Sequence, residues 1–175
     1  LAEEYHLGGY ILFARDFENS SPKELQKTIQ SYQARANLPM FIGVDEEGGT
    51  VVRASRYPQF RKNRFASPQE LYKQGGLEAI EEDAEEKSEF LLDLGINLNF
   101  APVCDVSQDA DDFIYQRSFG RDAAATAEYV RVVVETMHEE EIGSVLKHFP
   151  GYGDNVDTHT GVAHDQRSYE TFRRS

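Results

Sequence analysis

The stretch "SVLKHFPGYGDNVDTH", Ser144 to His159, decides how the rest of the chain is read. It opens as a short apolar run of the kind that forms a buried strand. It then breaks into a loop rich in glycine and proline that carries Lys147, His148, Asp154, Asp157 and His159. The titratable groups thus begin where a strand ends. Two earlier apolar runs finish the same way: "LPMFIGVD" closes on Asp45, and "INLNFAPVCDV" places Asp105 near its end. With "GGYILF" these runs predict parallel strands near residues 8–13, 39–45, 96–103 and 144–149.

Helical patterns fill the gaps. In "SSPKELQKTIQSYQ", Ser21 can cap, Pro22 suits the first helical position and Glu24 completes a capping box. The same Ser-Pro-x-Glu opening recurs at Ser67. A long helix is expected from about Leu77 to Leu94, with Leu77, Ile80, Ala84, Leu91 and Leu94 on one face and Gly95 as its stop. Asp122 is placed to cap the next helix, whose apolar face would be Ala127, Val130, Val133, Val134 and Met137, with Gly143 ending it. "SYETFRRS" opens a further helix. Alternating strands and helices predict an α/β fold with a parallel sheet. Polar residues at strand C-termini suit the active face of a (β/α)8 TIM barrel, and equally the strand ends of an open doubly wound sheet. The pattern alone leaves both. No G-x-G-x-x-G follows a strand and no Walker loop is present.

Bulk properties narrow the function classes. A chain of 175 residues suits one domain. Its net charge of −13 argues against nucleic acid and membrane surfaces as partners. The single cysteine, Cys104, cannot form an internal disulfide. No apolar run approaches the roughly 20 residues of a membrane span. The first residue is Leu1 rather than Met, so missing chain is expected at the start, and cytoplasmic and secreted locations both stay open.

The candidate site residues carry different weight. Asp45, followed by Glu46, Glu47 and two glycines, suits either a capping acid or a carboxylate aimed at ligand hydroxyls. Asp105 is expected to hold neighbouring loops together. Arg117, in "QRSFGRD", is either solvated or forks onto ligand oxygens. Lys147 and His148 leave a strand as neighbours, so their side chains should diverge. Asp157 and His159, two apart on a loop, let a carboxylate orient an imidazole and raise its basicity, as a general acid/base requires. A metal site built from His148, Asp154, Asp157, His159 and His164 is a further reading, without the spacing of a zinc motif.

Taken in order, "GGYILF", "GVDEEGGTVVR", "NLNFAPVCDV", "RSFGRD" and "KHFPGYGDNVDTH" resemble glycoside hydrolase family 3, in its β-N-acetylhexosaminidase branch. The resemblance covers nearly the whole chain, and the Asp-x-His of the last loop marks the branch. It implies a (β/α)8 barrel and retention of anomeric configuration without a cofactor. It further implies that Asp45, Arg117, Lys147 and His148 grip the hydroxyls of N-acetylglucosamine, with Asp157 and His159 as the acid/base dyad. Tyr152 departs from the histidine or aspartate of many relatives.

The family's nucleophile is an aspartate in a Ser-Asp-Asp-like segment of a later strand, and this sequence holds no such segment. The motifs correspond to barrel strands two to five, so residues 1–175 are expected to be a partial catalytic barrel domain, truncated at both ends. The implied function is that of a fragment of a retaining exo-β-N-acetylglucosaminidase, with peptidoglycan fragments or chitin oligosaccharides as partners. Phosphorolysis of the same substrates and a non-catalytic sugar- or partner-binding role are the alternatives. Four strands cannot close, so exposed apolar surface and self-association through the open edge are expected.

Overall fold

The computed structural model describes residues 2–165 and 167–172. In chain order they form α1 (Ala2–Tyr5), β1 (Gly9–Leu12), α2 (Ala14–Glu18), α3 (Pro22–Gln33), β2 (Phe41–Val44), α4 (Pro68–Asp93), β3 (Leu98–Asn99), α5 (Ala123–Glu139), β4 (Gly143–Ser144) and α6 (Tyr169–Phe172). The four strands pair in parallel in the order β1-β2-β3-β4. Each strand lies beside the next in sequence, and the order never reverses. That is the winding of a TIM-type (β/α)8 barrel and not of a doubly wound sheet, whose strand order switches direction. The described residues thus hold four βα-type strands of such an arrangement.

The helix starts follow from local chemistry. Ser21 and Ser67 each accept a hydrogen bond from the N–H three residues on, and Glu24 and Glu70 accept one in return. Asp122 caps α5 by accepting from the Ala125 N–H at 2.9 Å. Gly95 follows the last turn of α4 with φ +87°, the left-handed conformation that stops a helix. α4 is broken at Gly75 and Gly76, where φ is −154° and +68°, so the long segment beginning at Leu77 is a separate helical body.

The main core lies between the sheet and α3, α4 and α5. Phe17, Leu25, Ile29, Met40, Ile42, Val44, Leu91, Ile96 and Met137 are buried there. A smaller cluster of Ile80, Phe119 and Tyr129 joins α4 to α5, with Phe119 stacked on Tyr129 at 4.7 Å. Complete burial pushes the Tyr129 hydroxyl well above the ordinary tyrosine range.

Several expectations are corrected. β3 and β4 have two residues each, far shorter than predicted. Past them the sheet continues as isolated contacts: the Val103–Lys147 bridge, and Cys104 N–H donating to Lys147 O at 2.7 Å. Pro102 has no N–H, and side chains replace ladder bonds. Asn97 Oδ1 accepts from Ile42 N at 2.8 Å, and its Nδ2 donates to Met40 O at 3.1 Å. On α5 Met137 is buried and Val130 and Val133 pack against the cores as expected, but Thr126, Tyr129 and Thr136 are buried too, and Ala127 is exposed. Gly143 does not end α5. It sits in β4, where a Cβ would lie 2.6 Å from the Leu98 side chain, and Glu141 takes the left-handed turn instead. The helix expected in "SYETFRRS" covers Tyr169–Phe172, and residues 173–175 lie outside the described residues. Apolar side chains stand open at the strand ends and edges, among them Ile11, Phe13, Phe41 and Leu146.

Candidate active site

Three acids follow β2 and meet three different fates. Glu46 is fully buried and accepts from the N–H groups of Arg53 at 2.9 Å and Ala54 at 2.8 Å, and from the Ser55 hydroxyl. It folds the 46–55 loop on itself. Asp45 and Glu47 face a cavity of about 510 Å³ at the C-terminal ends of the strands. Gly48 lets the chain turn between them and the next residues. It has φ +100°, and a Cβ there would lie 2.2 Å from Ala66 O.

Glu47 is the centre of the site, and sequence reasoning gave it no role. Its carboxylate, 3% exposed, takes a fork from Arg117, with Nε at 3.0 Å and an Nη at 2.8 Å. Lys147 Nζ lies 2.5 Å from the same carboxylate and donates to Asp45 Oδ1 at 2.6 Å. Burial opposes the Arg117 charge, but the Glu47 carboxylate outweighs it and raises the guanidinium pKa. Arg53 was also missed. It reaches Asp45 Oδ2 at 3.4 Å and lines the cavity. The only signal for either residue was a polar loop after a strand, shared with every neighbour.

Lys147 and His148 do not diverge as expected. Both point into this cavity, because strand alternation ends at the Lys147 bridge and the side chains follow their partners instead. His148 is set from behind by Asp105, which accepts from the His148 N–H at 3.0 Å and lies 2.6 Å from Nδ1. Asp105 also accepts from Tyr152 N at 2.7 Å. Burial works against the Asp105 charge, yet the hydrogen bonds from His148 and Tyr152 prevail and lower its pKa. Arg117 Nη lies 3.1 Å from His148 Nε2. A guanidinium can only donate, so Nε2 accepts and the Nδ1–H of His148 donates to Asp105.

Asp157 and His159 come together on the loop. Asp157 Oδ1 accepts from His159 N at 2.9 Å and lies 2.6 Å from its Nδ1. Those bonds hold the Asp157 carboxyl below its ordinary pKa. The His159 side chain is 73% exposed and borders the same cavity as Asp45, Glu47, Arg117, Lys147 and His148. Tyr152 stands edge-on to the His148 ring at 5.0 Å, with its hydroxyl 2.7 Å from Thr158 Oγ1. The arrangement offers fixed cations and carboxylates for hydroxyl groups, and a carboxylate-oriented imidazole at the rim. Among the described residues no three His, Cys, Asp or Glu side chains cluster to hold a metal, and none of the helices is long and apolar enough to cross a membrane.

Residues 1–175 match the family model described as the glycosyl hydrolase family 3 N terminal domain. The chain is 37% identical to the β-hexosaminidase A of Pseudoalteromonas piscicida over 95% of this chain and 29% of that protein. Among solved structures it resembles a family 3 β-N-acetylglucosaminidase from Paenibacillus sp. str. FPU-7, with TM-score 0.85, 29% identity, and coverage of 99% of this chain and 33% of that one. It also resembles NagZ of Neisseria gonorrhoeae in complex with N-trifluoroacetyl-D-glucosamine, with TM-score 0.82, 27% identity, and coverage of 97% and 50%. The chain spans half or less of the length of these relatives.

Proposed function

Because the chain belongs to glycosyl hydrolase family 3, we propose that it carries the sugar-binding half and the acid/base of a retaining exo-β-N-acetylglucosaminidase. Residues 1–175 then supply barrel strands two to five of a domain that extends beyond them on both sides. One observation carries this reading: the Asp45–Lys147–Glu47–Arg117–His148 network and His159, whose ring Asp157 holds, border a single cavity. Relatives named β-hexosaminidase, and a solved relative holding an N-acylated glucosamine, support an N-acetylhexosamine as the occupant.

In this mechanism Asp45, Arg117, Lys147 and His148 hold the hydroxyls of the terminal sugar. An aspartate from chain beyond Ser175 attacks the anomeric carbon as the glycosidic C–O bond breaks. His159 Nε2–H gives its proton to the departing oxygen, while Asp157 holds Nδ1. His159 then takes a proton from water, which displaces the aspartate and restores the anomeric configuration. An imidazole donor puts no second anion beside the nucleophile, so it also tolerates phosphate as the acceptor. A sugar 1-phosphate formed only in phosphate buffer would mark that variant. Peptidoglycan fragments and chitin oligosaccharides are both compatible substrates, and the unclosed sheet edges would support self-association of this chain.

The test uses the full reading frame that contains this chain. Proton donation matters for a sugar leaving group and little for nitrophenolate. His159→Ala should lower cleavage of an N-acetylglucosamine disaccharide by about 10²–10⁴-fold. Release of nitrophenolate in the first step should fall far less. Equal losses on both substrates would remove His159 from the acid role.

A further inference from the structure

The cations of the sugar cavity all have carboxylate partners: Arg53 and Lys147 on Asp45, Arg117 and Lys147 on Glu47. On the other side of the same loops the pattern is reversed. Two adjoining cavities of about 600 and 330 Å³ share Gln69, Lys73 and Tyr115 in their walls and form one polar groove. Arg64 lies toward one end, Arg121 toward the other and Lys73 between, all exposed. None of the three makes an ion pair among the described residues.

The two acids that line the groove are already used by helix starts. Glu70 accepts from the Ser67 N–H at 2.9 Å and hydroxyl at 2.8 Å, and Asp122 Oδ1 accepts from Ala125 N at 2.9 Å. The segment from Gly48 to Gln69 contains five Arg or Lys residues and no Asp or Glu, in a chain of net charge −13. Of these, Arg64 lines the groove, whereas Arg53 lines the sugar cavity and Arg61 pairs with Glu86. Tyr115 lends the groove an aromatic surface, and Arg121 lies 4.2 Å above the ring of Tyr72. Unpaired arginines over an open polar cavity are suited to forking onto carboxylate or phosphate oxygens.

We propose that the groove lined by Arg64, Lys73, Tyr115 and Arg121 is a second ligand site, taking an acidic saccharide through its carboxylate or phosphate groups. It is separate from the sugar cavity but shares a wall with it. Thr50 and Tyr115 line the groove, whereas Val51 and Arg117 line the cavity. Gln69 ties that wall to α4 by donating to Tyr115 O at 2.7 Å and Ser118 O at 3.2 Å. The proposal does not depend on the hexosaminidase reading.

The test titrates tetragalacturonate and, separately, glucose 6-phosphate into the protein of the full reading frame that contains this chain, by calorimetry at about 50 mM salt, where exposed charges are weakly screened. Neutral maltotetraose is the control. Saturable binding of either anion, without binding of maltotetraose, supports the site, and the tighter of the two identifies the preferred acid group. The triple variant Arg64→Gln/Lys73→Gln/Arg121→Gln should weaken that binding about tenfold, three exposed ion pairs contributing together. All three side chains are exposed, and an unchanged circular dichroism spectrum confirms that the variant folds. N-acetylglucosamine binding to the sugar cavity, measured on the same samples, should be unaltered and reads out the other site independently. No saturable anion binding, or binding indifferent to the triple variant, overturns the proposal.

Discussion

Asp105 and His148 are joined twice, through the His148 main-chain N–H at 3.0 Å and its ring Nδ1 at 2.6 Å, although they lie 43 positions apart in the chain. The second carboxylate oxygen takes the Tyr152 N–H. One buried acid therefore sets the ring, the backbone and the start of the following loop.

Asp105→Asn removes the charge from that arrangement and should cost about 2 kcal/mol at neutral pH, the scale of a hydrogen bond to a charged group. The folded pKa of Asp105 is lowered, so its contribution is complete above the unfolded carboxyl value of about 3.9 and is lost as pH falls through the folded value. Urea unfolding of both proteins across pH should show a constant gap above about pH 5 that narrows below about pH 4. A gap that widens on acidification would contradict the assignment.

Glu47→Gln leaves the Arg117 and Lys147 heads facing one another without their shared carboxylate. Breaking a buried ion network from one side costs about 3 kcal/mol. The urea midpoint should fall accordingly, and any affinity for N-acetylglucosamine should go with it. A variant of unchanged stability would mean that the network is solvated and energetically idle.

Asn99, buried in β3, clamps the Glu46 peptide from both sides. Its Oδ1 accepts from Glu46 N at 3.0 Å and its Nδ2 donates to Glu46 O at 3.0 Å. Asn99→Leu should cost about 2–4 kcal/mol, because it strands a buried N–H and C=O. The circular dichroism melting point checks this, and a shift within error would sink it.

On the proposed reading, this chain by itself should not release nitrophenol from an aryl N-acetylglucosaminide, since the nucleophile comes from other residues. Robust turnover by the purified 175-residue chain would show that a group within it does the displacement.

Helix starts were legible in the sequence because capping is local: Ser21, Ser67 and Asp122 each use an N–H three residues away. Strand positions were legible from apolar runs, but their lengths were not. β3 is flanked by Asn97, whose side chain bonds Ile42 and Met40, and by Pro102, which has no N–H, and the first of these depends on which strand lies alongside. At the site, the loop cluster of Lys147, His148, Asp157 and His159 stood out by composition. The division of labour among Asp45, Glu46 and Glu47 did not, since their partners are Ser55, Arg117 and Lys147. Three adjacent acids look alike until residues as distant as 102 positions on choose among them.

Lys147 reaches Asp45 from the far side of β3, tying the mouth of β2 to the chain leaving β4 across a strand that neither belongs to. This ionic floor can exist only once β2, β3 and β4 have come together, so it belongs to the late, non-local part of folding. A sugar resting on it would bind the assembled state alone. Its binding free energy would then be added to the cohesion of β2, β3 and β4, by about 2.7 kcal/mol at a concentration one hundred times its Kd. Thermal shift thus becomes a direct gauge of ligand affinity here, and a bound saccharide would act as a fifth structural element holding the strand ends in register.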